Sequence, residues 1–381
     1  MMKDQDILEC LKNHQAVEQA ELDAFINRNM FPYIHGSSAT FIFSGDADQV
    51  NLRHWIFGLP STQPFIRIEN TNIWSLVMDI PPMSRIEYKI EMIHQGNHRW
   101  IQDPLNHNLA FDPFGANSVI HGEGYKTPEW SEYKPESRRG LLREFKIQSK
   151  HFGDERYFSV YLPARYKSTR RYPLLIVHDG GDYIKFSNMK CILDNLIYRH
   201  EIQPLIVVFT YPKDRIIEYA NDTRHQDYLA EEIVPFMYEN FPVYDQHKRI
   251  GLMGASFGAI ASLSTAWRHS DLFENLLLQS GSFAFTDIGH HTRTSAFDPV
   301  VEFMNQFRKN PKNPCLNMYQ SCGMYETLIY ENRSMLPFFQ NHGIKVKYRE
   351  ARDGHNWINW RDRMREGLAW LYPGPLWMFY E

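Results

Sequence analysis

The segment at residues 249–263 constrains the fold of this chain more than any other part of the sequence. Its apolar beginning, residues 249–253, is typical of a buried strand, and its Ala- and Leu-rich end, from Phe257 onward, is typical of a helix. Between them lies Gly-Ala-Ser-Phe-Gly, a match to G-x-S-x-G in which small residues let the chain turn sharply. Because both flanking patterns are present, we interpret Ser256 as a nucleophile rather than as a chance match.

The chain has 381 residues, which exceeds one typical domain, and its regions differ in character. We expect a helical segment at residues 1–30 and then a small β-sandwich at 31–127, where short polar–apolar alternations are separated by Gly, Pro and Asn. A polar linker is predicted at 128–140. The catalytic region at 141–381 alternates apolar strands with helical patterns, which predicts a doubly wound, mostly parallel α/β sheet of the α/β-hydrolase type.

Composition argues against several classes of partner. The formal net charge is −4, so the chain has no basic footprint for nucleic acid and no polybasic patch for a membrane. The N-terminal stretch is polar and amphipathic, and no long apolar run follows, which predicts a cytoplasmic protein without an export signal. The four cysteines are scattered, as expected of free thiols in a reducing compartment. No nucleic-acid or membrane partner is therefore expected, and a homodimer is left open.

A serine hydroxyl is a weak nucleophile until a base takes its proton, so the sequence must supply a histidine. The histidines that satisfy the α/β-hydrolase chain order of serine, acid and histidine are His269, His290, His291, His342 and His355. His355 stands in Asp-Gly-His-Asn-Trp between the last predicted strand and the last predicted helix, where a catalytic histidine loop belongs. We predict that His355 is the base; the alternative is a solvated histidine in an ordinary turn.

The acid partner of His355 is expected on the loop after the next-to-last strand, at residues 321–326. Glu326 is the only carboxylate in that loop, and it would hold the imidazole in one tautomer and stabilise the imidazolium. Asp353 and Asp298 are the alternative acids. Glu326 could also serve only as a cap of the helix that follows it.

Two backbone N–H groups are needed to stabilise the oxyanion of a tetrahedral intermediate. We predict that one belongs to Phe257, the residue after the nucleophile. The other is expected from Gly181, in the His-Asp-Gly-Gly turn at 178–181, since glycine lets the backbone direct its N–H inward. Asp179 and Asp182 are expected to fix this turn through side-chain hydrogen bonds.

These motifs resemble those of the enterochelin (enterobactin) esterase group, within the putative-esterase (esterase D-like) branch of α/β-hydrolases. The shared motifs are the His-Asp-Gly-Gly turn, Gly-Ala-Ser-Phe-Gly-Ala, Gln-Ser-Gly-Ser-Phe at 279–283, Gly-x-x-Glu at 323–326, and Gly-His-Asn-Trp-x-x-Trp-Arg at 354–361. Two positions depart from the group, because Gly181 stands where it often has a bulky residue and Asn356 where it often has Asp. The strand pattern of the first region, with its Pro-Pro corner at 81–82, similarly resembles an early-set immunoglobulin-like domain.

The resemblance implies a serine esterase that acts on a small-molecule ester, namely a catecholate siderophore tri-ester, without a metal or an organic cofactor. An anionic, aromatic ligand of this kind favours cationic and aromatic partners, and we predict that Arg224, Tyr183 and Trp357 bind it. The alternatives are a carbohydrate-ester (feruloyl or acetyl) hydrolase, an acyltransferase on the same fold, and a catalytically inactive binding protein.

Three tryptophans of the predicted sandwich, Trp55, Trp74 and Trp100, allow two interpretations. They could stack on a sugar or catechol ring, or they could form the core of the sandwich or cover the domain junction. We favour the core or the junction, because large aromatic side chains are buried more often than they bind ligands.

Overall fold

The computed structural model describes residues 2–244, 249–287 and 290–375, and the chain folds into two compact units. The sandwich unit comprises the residues through Thr127 together with two short later segments, Met324–Glu326 and Ala351–Asn356. The hydrolase unit comprises Pro128–Gly323, Thr327–Glu350 and the residues from Trp357 onward. The contiguous domain boundaries predicted above stay predictions.

The sandwich unit begins with two helices, α1 (Asp4–Lys12) and α2 (Gln19–Arg28). Its strands are β1 (Tyr33–His35), β2 (Ser38–Ser44), β3 (Gln49–His54), β4 (Thr62–Pro64), β5 (Ile66–Arg67), β6 (Ile73–Asp79), β7 (Arg85–His94), β8 (Asn97–Ile101), β9 (Leu109–Asp112) and β10 (Gly115–His121). One sheet has the order β1-β2-β6-β5 and the other β4-β3-β7-β10-β9, with β8 also pairing with β7.

Strand β2 shows how the sandwich unit is stabilised, because both of its faces are covered. Phe41 and Phe43 point into the core between the sheets, while Ile42 points to the opposite face. There Ile42 packs in one cluster with Leu11 of α1 and Phe25 of α2. The two amphipathic helices therefore cover the outer face of this sheet, which accounts for the nearly continuous burial of β2.

The hydrolase unit is built on one mixed sheet with the order β11-β12-β14-β13-β15-β16-β17-β18. Its strands are β11 (Leu141–Gln148), β12 (Glu155–Leu162), β13 (Leu174–Val177), β14 (Ile206–Thr210), β15 (Ile250–Ala255), β16 (Asn275–Gln279), β17 (Asn317–Gly323) and β18 (Lys345–Ala351). Strand β12 is antiparallel to β11 and to β14, whereas β14, β13, β15, β16 and β17 pair in parallel.

Helices cover both faces of this sheet, so its central strands are buried throughout. They are α3 (Gly180–Phe186), α4 (Met189–Tyr198), α5 (Arg215–Tyr219), α6 (Thr223–Asp227), α7 (Val234–Asn240), α8 (Phe257–Arg268), α9 (Asp298–Lys309), α10 (Ile329–Asn341) and α11 (Trp357–Leu371). In β13, Ile176 packs in the cluster that includes Ile260 of α8, and its neighbour Val177 packs in the cluster that includes Met364 of α11. The predicted α/β-hydrolase sheet, preceded by antiparallel sheets, is thus confirmed.

One helix differs from the sequence expectation. The pattern at 228–240 predicts a single helix, but a π-helical turn at Tyr228–Ile233 leads into α7. Pro235 lies in the first turn of α7, directly after the π-helical turn. Over the described stretches of the chain, no helix is both long and apolar enough to span a membrane.

Candidate active site

Ser256 occupies a strained turn between β15 and α8 in the hydrolase unit. Its φ of 59° and ψ of −121° are uncommon for a residue with a side chain, and such strain is concentrated at functional sites. A Cβ atom at Gly254 would lie 2.3 Å from the carbonyl oxygen of Gly258, so the turn requires glycine there. The Oγ of Ser256 lies 3.3 Å from the Oγ of Ser282, and the Ser256 N–H donates to the Gln279 carbonyl at 2.9 Å.

The two predicted oxyanion donors each lie in the first turn of a helix. Phe257 begins α8, and Gly181 is the second residue of α3. The N–H groups of a first helical turn have no acceptor within the helix, so they are available to a developing anion. The turn that contains Gly180 and Gly181 is closely packed, because a Cβ at Gly180 would lie 2.4 Å from the Cβ of Phe209.

An ion pair with a buried carboxylate holds the turn before α3. Asp179 has a left-handed φ of 53° and accepts hydrogen bonds from Arg215 through Nε at 2.9 Å and Nη2 at 2.8 Å. Burial alone would lower the pKa of Arg215, but the Asp179 carboxylate outweighs it and keeps that pKa above its usual value. Asp179 therefore fixes this turn as predicted, whereas its partner Arg215 was not among the predicted residues.

A pair of neutral histidines lies next to these turns. His178 and His225 are buried with their Nε2 atoms 3.1 Å apart, and Nδ1 of His178 lies 3.0 Å from both the Met253 carbonyl oxygen and the Ser262 Oγ. Burial lowers the pKa of His178 to about 4, and burial together with His178 lowers the pKa of His225 well below its usual value. These histidines are structural supports that remain uncharged at neutral pH.

His355 and Glu326 form a short hydrogen bond in the sandwich unit. Glu326 follows β17 and His355 follows β18, and Nδ1 of the imidazole lies 2.7 Å from Oε2 of the carboxylate. The Glu326 side chain is 1% exposed, whereas the His355 side chain is 39% exposed. A Nδ1–H that donates to Glu326 leaves Nε2 as the basic atom, which is the arrangement that a general base requires.

The two alternative acids have other partners. Asp353 accepts hydrogen bonds from Arg85 at 3.3 Å, from the Asn356 amide at 2.8 Å and from the Gly354 N–H at 2.7 Å. Asp298 is exposed and lies 2.9 Å from Nε2 of His291. The structure thus brings His355 together with Glu326, and it gives Asp353 a role in holding the histidine loop.

The predicted substrate-binding residues fall into two classes. Arg224 is 54% exposed, binds Asp222 through two nitrogens and lies 5.4 Å above the ring of Phe152. Tyr183 is fully buried and donates to Oε1 of Gln279 at 2.8 Å, and Trp357 packs edge-on against its ring at 5.2 Å. Tyr183 and Trp357 therefore pack in the interior of the hydrolase unit, and their predicted contact with a substrate stays a prediction.

The three tryptophans of the sandwich unit differ in burial. Trp74 is buried and donates to the Gly45 carbonyl at 3.2 Å, as the core interpretation predicts. Trp55 and Trp100 are exposed, and the guanidinium of Arg53 lies 4.8 Å above the Trp100 ring.

Comparison with known proteins identifies the relatives of this chain. The family model described as putative esterase matches residues 149–371. The chain is 30% identical over 152 residues to the uncharacterised protein YjcH of Bacillus subtilis, covering 38% of this chain and 62% of that protein. It is 23% identical over 248 residues to the iron(III) enterobactin esterase of Dickeya dadantii, covering 63% of this chain and 56% of that enzyme. The chain thus matches only about three-fifths of the length of these relatives.

A solved structure extends the likeness to the fold. The enterobactin esterase of Shigella flexneri, crystallised in the presence of enterobactin, superposes with a TM-score of 0.71 over 88% of this chain and 92% of that one. At 17% identity this similarity establishes the fold. Because the family model covers more than half of the residues, including Ser256 and His355, the chain belongs to the putative esterase family.

Proposed function

We propose that this protein is a serine esterase that hydrolyses the carboxylic ester bonds of a small molecule. The observation that carries the proposal is the conformation of Ser256, a non-glycine residue held at positive φ between a buried strand and a helix. A serine in an ordinary turn would not need this strain. The hydrogen bond between His355 and Glu326 supports the same proposal, because it prepares Nε2 of the histidine to accept a proton.

In the proposed reaction, the Ser256 Oγ attacks the ester carbonyl while His355 Nε2 takes its proton. The N–H groups of Phe257 and Gly181 stabilise the oxyanion that forms. Collapse of the tetrahedral intermediate breaks the bond to the alkoxy group, which leaves as an alcohol with the proton from His355. Water then attacks the acyl-serine, again with His355 as base, and the carboxylic acid and free Ser256 are released.

Glu326 acts in this mechanism through His355. Its buried carboxylate orients the imidazole through Nδ1 and stabilises the imidazolium that appears in both steps. It does not itself take up the proton. A metal ion or an organic cofactor is not required by this sequence of steps.

We further propose a catecholate siderophore tri-ester as the substrate. The similarity to the enterobactin esterases of Shigella flexneri and Dickeya dadantii supports this choice, since their names state that they act on such an ester. Arg224 supports it as well, because its exposed guanidinium suits an anionic, aromatic-rich ligand. Cytoplasmic location and a homodimer stay predictions.

Two measurements test the proposal. A fluorophosphonate probe should label Ser256 in the folded protein and should fail to label Ser256→Ala; absence of labelling in the unchanged protein would favour a binding protein. The kcat/KM values on an enterobactin-type tri-ester, a feruloyl sugar ester and an acetyl ester then decide the substrate class. A tenfold preference for the sugar ester corresponds to about 1.4 kcal/mol of transition-state binding. That result would show that the protein is a carbohydrate esterase rather than a siderophore esterase.

A further inference from the structure

The first residue of β7 in the sandwich unit contacts the loop that carries His355. The Arg85 guanidinium donates from Nη1 to the Asn356 Oδ1 at 2.9 Å and to the Asp353 Oδ1 at 3.3 Å. The backbone N–H of Arg85 donates to the carbonyl of Arg352 at 2.9 Å, and the Arg352 side chain donates to the carbonyl of Pro82 at 2.8 Å. The residues on both sides of His355 are therefore attached to one end of one strand.

The loop that carries the acid is attached to the same unit. The Tyr325 N–H donates to the carbonyl of Asp353 at 3.1 Å, and the Phe57 N–H donates to the carbonyl of Tyr325 at 2.8 Å. Tyr325 also packs against the hydrophobic core of the sandwich. Glu326 and His355 therefore stand on two loops that are bonded to each other and to the sandwich.

The Arg85 guanidinium is held in one orientation because it is buried, charged and bonded to partners at both ends. Its side chain is only 2% exposed, and a buried charge persists only when its donors are satisfied. Burial acts to lower the pKa of Arg85, but the carboxylates of Asp353 and Glu87 outweigh it and raise that pKa. Nη2 binds the Glu87 Oε1 at 2.8 Å, so the two ends of the guanidinium fork point at different partners. Arg85 thus remains charged and cannot rotate freely.

We propose that Arg85 is a positioning residue for His355. This inference rests on the proposed role of His355 as the general base. The His355 side chain is 39% exposed and Glu326 orients its ring, while Arg85 holds the loop on either side of His355 through Asp353 and Asn356. Asp353 transmits the restraint, because it accepts from Arg85, from Asn356 and from the N–H before His355.

The test compares Arg85→Met with Arg85→Lys and with a matched control. Arg53→Met is the control, because Arg53 also forms an ion pair with a buried carboxylate of the sandwich, Glu91 at 3.5 Å, and lies on β3. Each variant is assayed for kcat and KM on a soluble p-nitrophenyl ester, for the rate at which a fluorophosphonate labels Ser256, and for thermal unfolding.

A displaced base lowers kcat rather than substrate affinity. We expect Arg85→Met to lower kcat and the labelling rate together by roughly 10- to 100-fold, with KM changed by less than about threefold. Arg85→Lys should recover part of kcat, because an ammonium keeps the charge but lacks the forked geometry. Arg53→Met should keep the kcat of the unchanged protein. A purely structural Arg85 would instead lower the unfolding temperature and leave kcat per folded molecule as it is.

The outcomes separate this inference from the proposed function. If the unchanged protein is not labelled by the fluorophosphonate, the proposed function fails before any variant is compared. If it is labelled, and folded Arg85→Met keeps full kcat, the positioning role is overturned while the esterase proposal stands. Should Arg85→Met not fold, Asn356→Ala removes the loop acceptor instead; a kcat lowered about tenfold at unchanged KM supports the role, and an unchanged kcat overturns it.

Discussion

Arg215 joins the turn that contains Asp179 to the end of β15, directly before Ser256, the proposed nucleophile. Its guanidinium binds the Asp179 carboxylate, and its Nη2 also donates to the carbonyl of Ala255 at 3.3 Å. Ala255 immediately precedes Ser256, and Asp179 immediately precedes α3 with its predicted oxyanion donor. One side chain thus bonds both to the residue before α3 and to the residue before Ser256.

Arg215→Met should therefore reduce both stability and turnover. Leaving the Asp179 carboxylate buried without its partner is expected to lower the free energy of unfolding by about 3–5 kcal/mol, measured by urea titration. The double variant with Asp179→Asn should regain most of that stability, since asparagine is neutral and tolerates positive φ, but it should not regain kcat. Arg268→Met, which removes a partly exposed ion pair with Asp227, should cost less than about 1 kcal/mol. Equal losses in the two single variants would contradict the role given to Arg215.

Ser256→Ala should abolish turnover while folding and substrate binding are preserved, because the change removes a reacting atom from a preformed turn. Loss of a nucleophile of this kind typically lowers kcat by about 10⁶-fold. Steady-state kinetics on the best ester of the panel, with circular dichroism to check the fold, measure the effect. Activity above about one-thousandth of the starting value would rule out Ser256 as the nucleophile.

Glu326→Gln should lower kcat by roughly 10³- to 10⁴-fold, which is less than the effect of His355→Ala. The amide keeps the shape of the carboxylate but no longer stabilises the imidazolium. Asp353→Asn provides the comparison, because Asp353 binds Arg85 and Asn356 in the same loop. If Glu326→Gln retained full kcat and folded Asp353→Asn were inactive, the acid would be Asp353.

Stability should fall as the pH is lowered from about 6.5 to 4, because His178 and His225 are buried in the neutral form. A histidine whose folded pKa lies below its unfolded value binds fewer protons in the folded state, so its stabilising contribution is complete above pH 6.5 and is lost as the pH falls. For His178, whose pKa burial lowers to about 4, the loss amounts to about 3 kcal/mol. Urea unfolding across this pH range measures the slope, and a flat profile would show that the histidines are not buried as neutral groups.

The parts of the fold that a local sequence pattern determines could be predicted from the sequence. The strand, turn and helix around Ser256 follow one another along the chain, so composition and spacing specify them directly. The edge strand β11 carries no such signal, because its residues are mostly exposed and alternate weakly. Burial of Tyr183 and Trp357 was also missed, since the face of a helix on which an aromatic ring lies depends on packing.

The supporting residues of the candidate site that the sequence did not predict belong to long-range ion pairs. Arg215 and Asp179 are 36 residues apart, and Arg85 and Asp353 are 268 residues apart, so no periodicity relates them. A single sequence shows many arginines and many aspartates without indicating which of them meet. Local motifs therefore indicate the candidate reacting groups, whereas the residues that hold those groups emerge only from the three-dimensional structure.

The grouping of Met324–Glu326 and Ala351–Asn356 with the sandwich has a consequence for how the protein inactivates on heating. Both loops hydrogen-bond to N-terminal residues, since Tyr325 accepts from Phe57 and Asn356 accepts from Arg85, so unfolding of the N-terminal region would release them. Hydrolysis would then cease at the melting temperature of the less stable unit. Heat inactivation would thus report unfolding of the N-terminal region, although Ser256 lies in the other unit.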